Sequence, residues 1–423
     1  MEPTRTLADG VAHALADARE RSLSYVADLT DEQLEMPLLD IVNPLRWELG
    51  HIAYFAEFWT ARHLDGRPPL IANADALYDS ARIAHDDRWA LPLPSRRDTL
   101  TFMQRQLDAL LRRIGDAPAD ARSEYFYRLA LYHEDMHGEA LLMTRQTVGY
   151  PLPALGSKAA KPPSEARRLG DAQIPGGSYL IGAQPEDGFV FDNEQWAHEV
   201  EIAPFAIART AVCNAEYLAF VEAGGYRDER LWSRAGWEWR CAAQAEHPLH
   251  WRPAADGWHR RHFERTLPLV PGEPVLHVNW FEANAFCTWA GRRLPSEAEW
   301  EVAATGERRR FPWGEAPARP SLANLDGWYG NVVDVAAFAR GESPFGCRQM
   351  IGNAWEWTAT PFGPYPGFAP GPYKEYSEPW FGTHYVLRGG AWSTRARLVT
   401  TRWRNFYRPQ RRDIIAGLRT CAV

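Results

Sequence analysis

Apolar residues recur at spacings of three and four from Leu7 to about Tyr150, the period of helices that each bury one face. Long helical runs follow from that spacing over residues 8–27, 44–64, 97–115 and 124–147. Turn-rich stretches such as Asp65-Gly66-Arg67-Pro68-Pro69 separate them. Helices of this length with polar outer faces predict a four-helix bundle, whose core is a natural place for inward-pointing metal ligands. Residues 151–168, rich in proline and small residues, read as a linker. Beyond it glycine, proline and tryptophan become frequent, and helical periodicity survives only in short pieces such as 279–290 and 296–304. Ser296 with Glu299 three residues on is a helix-capping signature. No repeat of the roughly 20–50-residue kind found in solenoids is present. This half predicts an irregular α+β domain. The expected organisation is a bundle over 1–155, a linker over 156–170 and a second domain over 171–423.

Composition sharpens this picture. A chain of 423 residues exceeds one ordinary core, so two domains are the default. Hydrophobic residues at 45% and charged residues at 24% mark a folded globular protein. A formal charge of −7 argues against a nucleic-acid surface. No window approaches the roughly 18 apolar residues of a membrane span. Met1-Glu2-Pro3-Thr4-Arg5 lacks the basic start and apolar run of a secretory signal. Cys213, Cys241, Cys287, Cys347 and Cys421 are odd in number and form no Cys-x-x-Cys pair, which fits reduced thiols in the cytoplasm.

The candidate chemistry lies in the first half. His133 and His137 are four residues apart on a predicted helix and share a face. His51 belongs to an earlier run, in a stripe with Trp47 and Phe55. Three neutral imidazoles around one metal ion would leave coordination positions open for chemistry. Other readings of the same residues stand beside this one. The histidines could be hydrogen-bonded core residues. His133-Glu134-x-x-His137 also satisfies the zinc-peptidase pattern with Glu134 as general base, and Glu134-x-x-His137 has the spacing of di-iron carboxylate bundles.

Several strings in the second half resemble the formylglycine-generating (sulfatase-modifying factor) fold, a variant of the C-type lectin fold. They are Pro175-Gly176-Gly177-Ser178-Tyr179-Leu180-Ile181-Gly182, Arg293-Leu294-Pro295-Ser296-Glu297-Ala298-Glu299-Trp300-Glu301, Gly352-Asn353-Ala354-Trp355-Glu356-Trp357-Thr358, Leu387-Arg388-Gly389-Gly390-Ala391-Trp392 and Gly417-Leu418-Arg419. The first half, with its histidines, resembles the DinB-like four-helix bundle. A DinB-like bundle followed by this lectin-like domain is the layout of the non-heme iron sulfoxide synthases of ergothioneine and ovothiol biosynthesis and of the related selenoneine synthases. Residues 392–409 contain no cysteine, so the cysteine pair of a formylglycine-generating enzyme is missing. A zinc peptidase has no evident use for a lectin-like partner domain.

The resemblance implies Fe(II) held by His51, His133 and His137, with hercynine (the betaine of histidine), a chalcogen donor and O2 as reactants. It implies a proton donor on the string Pro372-Tyr373-Lys374-Glu375-Tyr376-Ser377, with Tyr373 first and Tyr376 second. It also matches Trp403-Arg404-Asn405-Phe406-Tyr407 to a betaine-contacting string, making Asn405 a polar contact and Phe406 an aromatic wall for the trimethylammonium group.

The chain departs from the enzymes that use γ-glutamylcysteine. Before Leu91-Pro92-Leu93, Arg88 matches one arginine of their carboxylate-binding pair, but His85 stands in place of the other. Tyr407 replaces an acid, and Met136 replaces a glutamine beside His137. A carboxylate prefers paired arginines, whereas a sugar prefers neutral hydrogen bonds and stacking. A donor site built from His85, Trp89 and Tyr407 suits a neutral donor. The expectation is an O2-dependent iron enzyme forming a C–Se bond between hercynine and a selenosugar of the 1-seleno-N-acetylglucosamine type. The alternative is an ergothioneine-type enzyme joining hercynine to γ-glutamylcysteine or cysteine, and a more distant one is a non-catalytic ligand-binding protein.

Overall fold

In the computed structural model the apolar periodicity of the first half resolves into long helices. Structure is described for residues 7–116, 120–155, 162, 170–306 and 308–423. The chain divides into two compact units, Met1–Gly156 and Ser157–Val423. The expected linker over 156–170 lies largely outside the described residues.

The first unit contains α1 (Leu7–Ser24), α2 (Leu45–Glu57), α3 (Arg96–Asp116) and α4 (Ala121–Val148). Helix α4 starts three residues before its apolar stripe does, because Asp120 caps it by accepting the Ser123 N–H at 2.7 Å. It stops at Gly149, whose φ of 77° ends the helical path. The run predicted over 44–64 is helical throughout, but its last turn, Phe58–His63, is a π-turn. One-turn helices at Asp31–Glu35 and Ala74–Tyr78 add to the expected pattern. Helix α2 packs on α3 and α4, and α1 packs on α4 and α3. Leu15, Leu49, Ile52, Met103, Leu129 and Leu141 are among the buried core residues.

One ion pair in this core is buried and closed on itself. Arg19 of α1 and Glu134 of α4 pair through both carboxylate oxygens, at 2.9 and 3.1 Å. Gln106 and the Met103 carbonyl accept two more of the guanidinium hydrogens. Both charges are buried, and such a pair survives only when its lone pairs and hydrogens are met.

The second unit is made of small sheets and short helices. Its strands are β1 (Asp171–Ile174), β2 (Gly177–Ile181), β3 (His198–Ile202), β4 (Phe205–Ala208), β5 (Trp251–Ala254), β6 (Gly257–His262) and β7 (Arg265–Pro268). They continue with β8 (Arg292–Arg293), β9 (Trp355–Pro361), β10 (Tyr385–Arg388), β11 (Asn405–Tyr407), β12 (Ala416–Leu418) and β13 (Cys421–Ala422). The sheet orders are β1-β4-β13-β8, β11-β10-β9-β12, β5-β6-β7 and the pair β2-β3. Helices α5 (Asn214–Glu222), α6 (Arg234–Ala242), α7 (Trp280–Trp289) and α8 (Glu297–Thr305) fill the spaces. Helices α7 and α8 correspond to the runs predicted over 279–290 and 296–304. Ser296 caps α8 through the Glu299 N–H at 3.1 Å, and Glu299 returns the bond to the Ser296 N–H at 2.7 Å.

Strings far apart in the sequence bind one another in this core. Glu356 takes hydrogen bonds from Trp300 Nε1 at 2.7 Å and from Arg419 at 3.0 and 2.8 Å. Arg388 pairs with Glu301, which also accepts the Gly182 N–H at 3.1 Å. The glycines of these strings are there for close backbone approach. A Cβ on Gly352 (φ 84°) would lie 2.5 Å from the Asn324 carbonyl oxygen, and one on Gly389 (φ 98°) 2.6 Å from that of Met350. Among the described residues no helix is long and apolar enough to cross a membrane.

Candidate metal centre

Helices α2 and α4 bring three imidazoles together. One ring nitrogen from each of His51, His133 and His137 lies within 4.8 Å of the other two. His133 and His137 come from one face of α4, one turn apart, and their Nε2 atoms are 3.2 Å apart. That separation suits two nitrogens in adjacent positions on one ion at roughly 2.1 Å each.

The ring orientations are fixed from behind. His51 Nδ1 donates to the Tyr78 carbonyl at 2.8 Å, and His137 Nδ1 donates to Glu48 Oε1 at 2.6 Å. Each leaves Nε2 as the lone-pair nitrogen, the tautomer a metal needs. Aromatic faces clamp the other two sides. Trp47 stacks on His51 at 4.7 Å and Phe55 on His133 at 3.5 Å, with nearly parallel planes. Burial, reinforced by neighbouring His137, pushes His51 and His133 well below the usual imidazole range. Both rings are therefore neutral and ready to donate electron pairs. His51 and His133 are buried, whereas His137 keeps 18% side-chain exposure and marks the accessible side. A three-nitrogen set without a carboxylate fits a borderline divalent ion such as iron, zinc, nickel or copper, and geometry does not choose among them.

Glu134 is not part of this centre. Both its oxygens are held by Arg19, so it can serve neither as a peptidase base nor as a carboxylate ligand beside the histidines.

The comparisons with known proteins agree with both halves of the chain. Residues 158–422 match the sulfatase-modifying factor enzyme 1-like domain, and residues 14–141 match the DinB superfamily. The chain is 40% identical to a hercynine oxygenase of Mycolicibacterium thermoresistibile, over 97% of this chain and 94% of that protein. It is 37% identical to the hercynine oxygenase of Mycobacterium tuberculosis, over 98% and 99% of the two chains. The chain belongs to the hercynine oxygenase family. Formylglycine-generating enzyme of Streptomyces coelicolor is 33% identical over 58% of this chain and 85% of its own length.

The other residues singled out from the sequence fall in two places. In the first unit, the Arg88 guanidinium lies 4.2 Å from the centre of the Trp47 ring and donates to Asn43 Oδ1 at 2.5 Å and to the Ile83 carbonyl at 3.4 Å. Arg88, Trp47 and His51 thus form a contact series. His85 uses Nε2 on the Val42 carbonyl and Nδ1 on Asp86, both at 2.8 Å, and Trp89 Nε1 donates to the Met36 carbonyl at 3.0 Å. Met136 is half-buried beside His137.

In the second unit, Tyr373 and Tyr376 are 5.8 Å apart, and Tyr376 lies 4.5 Å from Phe191 and 5.7 Å from Phe406. Phe406 stacks on Phe362 at 3.9 Å. Asn405 accepts the Phe406 N–H at 2.9 Å, and Arg411 lies 5.1 Å from the Tyr407 ring centre. Burial raises the Tyr376 phenol well above its usual range. Sequence reasoning missed Glu48, although a carboxylate one turn before His51 was a readable signal. It also missed Asp192 and Glu194, which only long-range contacts connect to the tyrosines.

Proposed function

We propose that this protein is an iron-dependent oxygenase that acts on hercynine and joins its imidazole carbon to a chalcogen donor. The observation that carries this is the convergence of His51, His133 and His137 in a member of this family. In this reading the three Nε2 atoms hold Fe(II), and Asn405 and Phe406 receive the trimethylammonium group. Fe(II) held by these histidines would supply the redox chemistry that allows O2 to react. The chain's own part is to keep His51 and His133 neutral by burial, to orient His51 and His137 through the Tyr78 carbonyl and Glu48, and to hold a phenolic proton at Tyr373 Oη for oxygen as it is reduced. The buried, unbridged Cys213, Cys287, Cys347 and Cys421 suit a reducing compartment, which we take to be the cytoplasm.

For the donor we favour a neutral selenosugar and C–Se bond formation. What supports this is the state of the arginine segment. Arg88 is stacked on Trp47 and committed to Asn43 and Ile83, and His85 is committed to Val42 and Asp86. In the sequence, His85 holds the place of the second arginine that a carboxylate clamp would need. The alternative of a thiol donor with C–S bond formation is tested by the same experiment. Fe(II)-loaded protein is given hercynine, a 1-selenosugar and γ-glutamylcysteine together, with O2 uptake recorded and products read by mass spectrometry. Selenium product in excess supports the reading, sulfur product in excess overturns the donor assignment, and no O2 uptake overturns the oxygenase. His137→Ala should abolish iron loading and turnover together.

A further inference from the structure

The segment 371–377 carries Tyr373 and Tyr376 but has little regular structure, only the single turn Lys374–Tyr376. Its position must be imposed from outside. Two consecutive buried residues on another loop do this. Asp192 accepts the Gly371 N–H on Oδ2 at 3.2 Å and the Ser377 hydroxyl on Oδ1. Asn193 donates Nδ2 to the same hydroxyl oxygen at 3.0 Å. One carboxylate therefore holds both ends of the tyrosine segment.

The same loop is fastened to strand β11. Arg404, directly before Asn405, donates to the Asn193 carbonyl at 2.6 Å and pairs with Glu297 at 2.9 and 3.0 Å. Arg404, Asn193 and Ser377 are all buried. Tyr376 completes the arrangement by touching Phe191 on one side and Phe406 on the other.

A buried carboxylate is a costly choice for a purely mechanical clamp. Burial pushes the Asp192 acid above the usual carboxyl range, and the Gly371 N–H and Ser377 hydroxyl that it accepts are neutral donors rather than a cation. The geometry explains the choice. The two ends of the segment present two donors at once, and only a carboxylate offers two acceptor oxygens in that space. Asparagine has the same size and a single acceptor.

We propose that Asp192 is a positioning residue for the reaction: it sets the register of the Tyr373–Tyr376 segment against the Asn405–Phe406 strand. This rests on the reading of Tyr373 as proton donor. Loss of one anchor leaves the fold intact but lets the phenols wander from the oxygen they serve, so O2 is consumed without product.

The test uses full-length Asp192→Asn and Ser377→Ala, each alone and combined with Tyr373→Phe. Hydrogen exchange reads the clamp without requiring activity, and product formed per O2 consumed reads its role. Amide exchange within 371–377 should rise about fivefold or more, the factor for one lost hydrogen bond. Product per O2 should fall at least about twofold, with iron loading unchanged, and neither variant should add further uncoupling in the Tyr373→Phe background. Unchanged exchange in both variants overturns the clamp. Faster exchange with unchanged coupling reduces Asp192 to a structural residue and overturns its positioning role. A wild type that turns over no donor removes the oxygenase reading itself, and with it the catalytic meaning of the clamp. Should Asp192→Asn fail to fold, Ser377→Ala carries the same two readouts.

Discussion

Glu48 Oε1 lies 2.6 Å from His137 Nδ1, so a carboxylate on α2 grips the back of a ring whose front nitrogen faces His133. Glu48 is almost fully buried, and the bond fixes both tautomer and ring plane. Glu48→Ala should weaken metal binding about 10–100-fold, the usual loss when a partner behind a ligand is removed. Glu48→Gln keeps an acceptor and should fall between the two. Titration of the apoprotein with Fe(II) or Zn(II) checks this, and equal affinity in all forms would show that the contact plays no part in binding.

His51 is oriented by a carbonyl rather than a carboxylate, and the path to it runs through a glycine. A Cβ on Gly50 would meet the Tyr78 ring at 2.2 Å, and Tyr78 supplies the carbonyl that holds His51. Gly50→Ala must therefore displace the residue that aims the ligand. We expect a stability loss of about 1–3 kcal/mol, typical of overpacking, together with weaker metal binding. Thermal unfolding with and without metal reads both, and a smaller metal-induced rise in Tm is the expected sign.

The Arg19–Glu134 pair makes a prediction opposite to that of a catalytic base. Glu134→Ala leaves a buried guanidinium without its counter-charge and should cost about 3–5 kcal/mol in stability. The folded fraction should still load metal with wild-type affinity. Denaturant unfolding and metal titration on one preparation separate the effects. Wild-type stability with lost metal would place Glu134 back at the centre.

Tyr373→Phe keeps the ring and removes the proton. Product formation should slow by about 10²-fold, the lower end of what a positioned acid contributes, or be diverted, while hercynine binding stays near normal. Rapid-mixing O2 kinetics with product analysis checks it. Unchanged yield and rate would assign the proton elsewhere, with Tyr376 the next candidate.

Glu194 gives the second unit a pH signature. Burial first of all, against opposing arginines, raises its acid to about 7 from 4.5. A raised acid is stable while protonated, so its contribution is fully present below about pH 4.5 and is lost as pH rises through about 7. The loss amounts to about 3 kcal/mol once ionisation is complete. Glu194→Gln should match wild type near pH 5 and become progressively more stable than it toward pH 8. Calorimetric Tm across that range tests the sign, and a constant difference between the two proteins would rule it out.

Much of the fold was legible because its signals are local. The three-to-four spacing marked the long helices to within a few residues, and Ser296 with Glu299 marked the start of α8. The boundary moved where a cap extends the helix beyond the apolar stripe, as at Asp120, and the π-turn after Glu57 left no mark in the spacing. The pairing of His133 with His137 was readable as one helix turn. The placement of His51 beside them depends on how α2 packs, which no local pattern specifies.

By itself the sequence determined the helical half, the irregular tryptophan-rich half and the residue types able to hold a metal, because periodicity, caps and motif strings act over a few neighbours. Only the tertiary structure decided the rest. It turned Glu134 away to Arg19, set Glu48 and the Tyr78 carbonyl behind the histidines, and hung the tyrosine segment from Asp192. Each of those choices joins side chains that are distant in sequence, and buried polar groups must find partners wherever the packing of helices and strands leaves them.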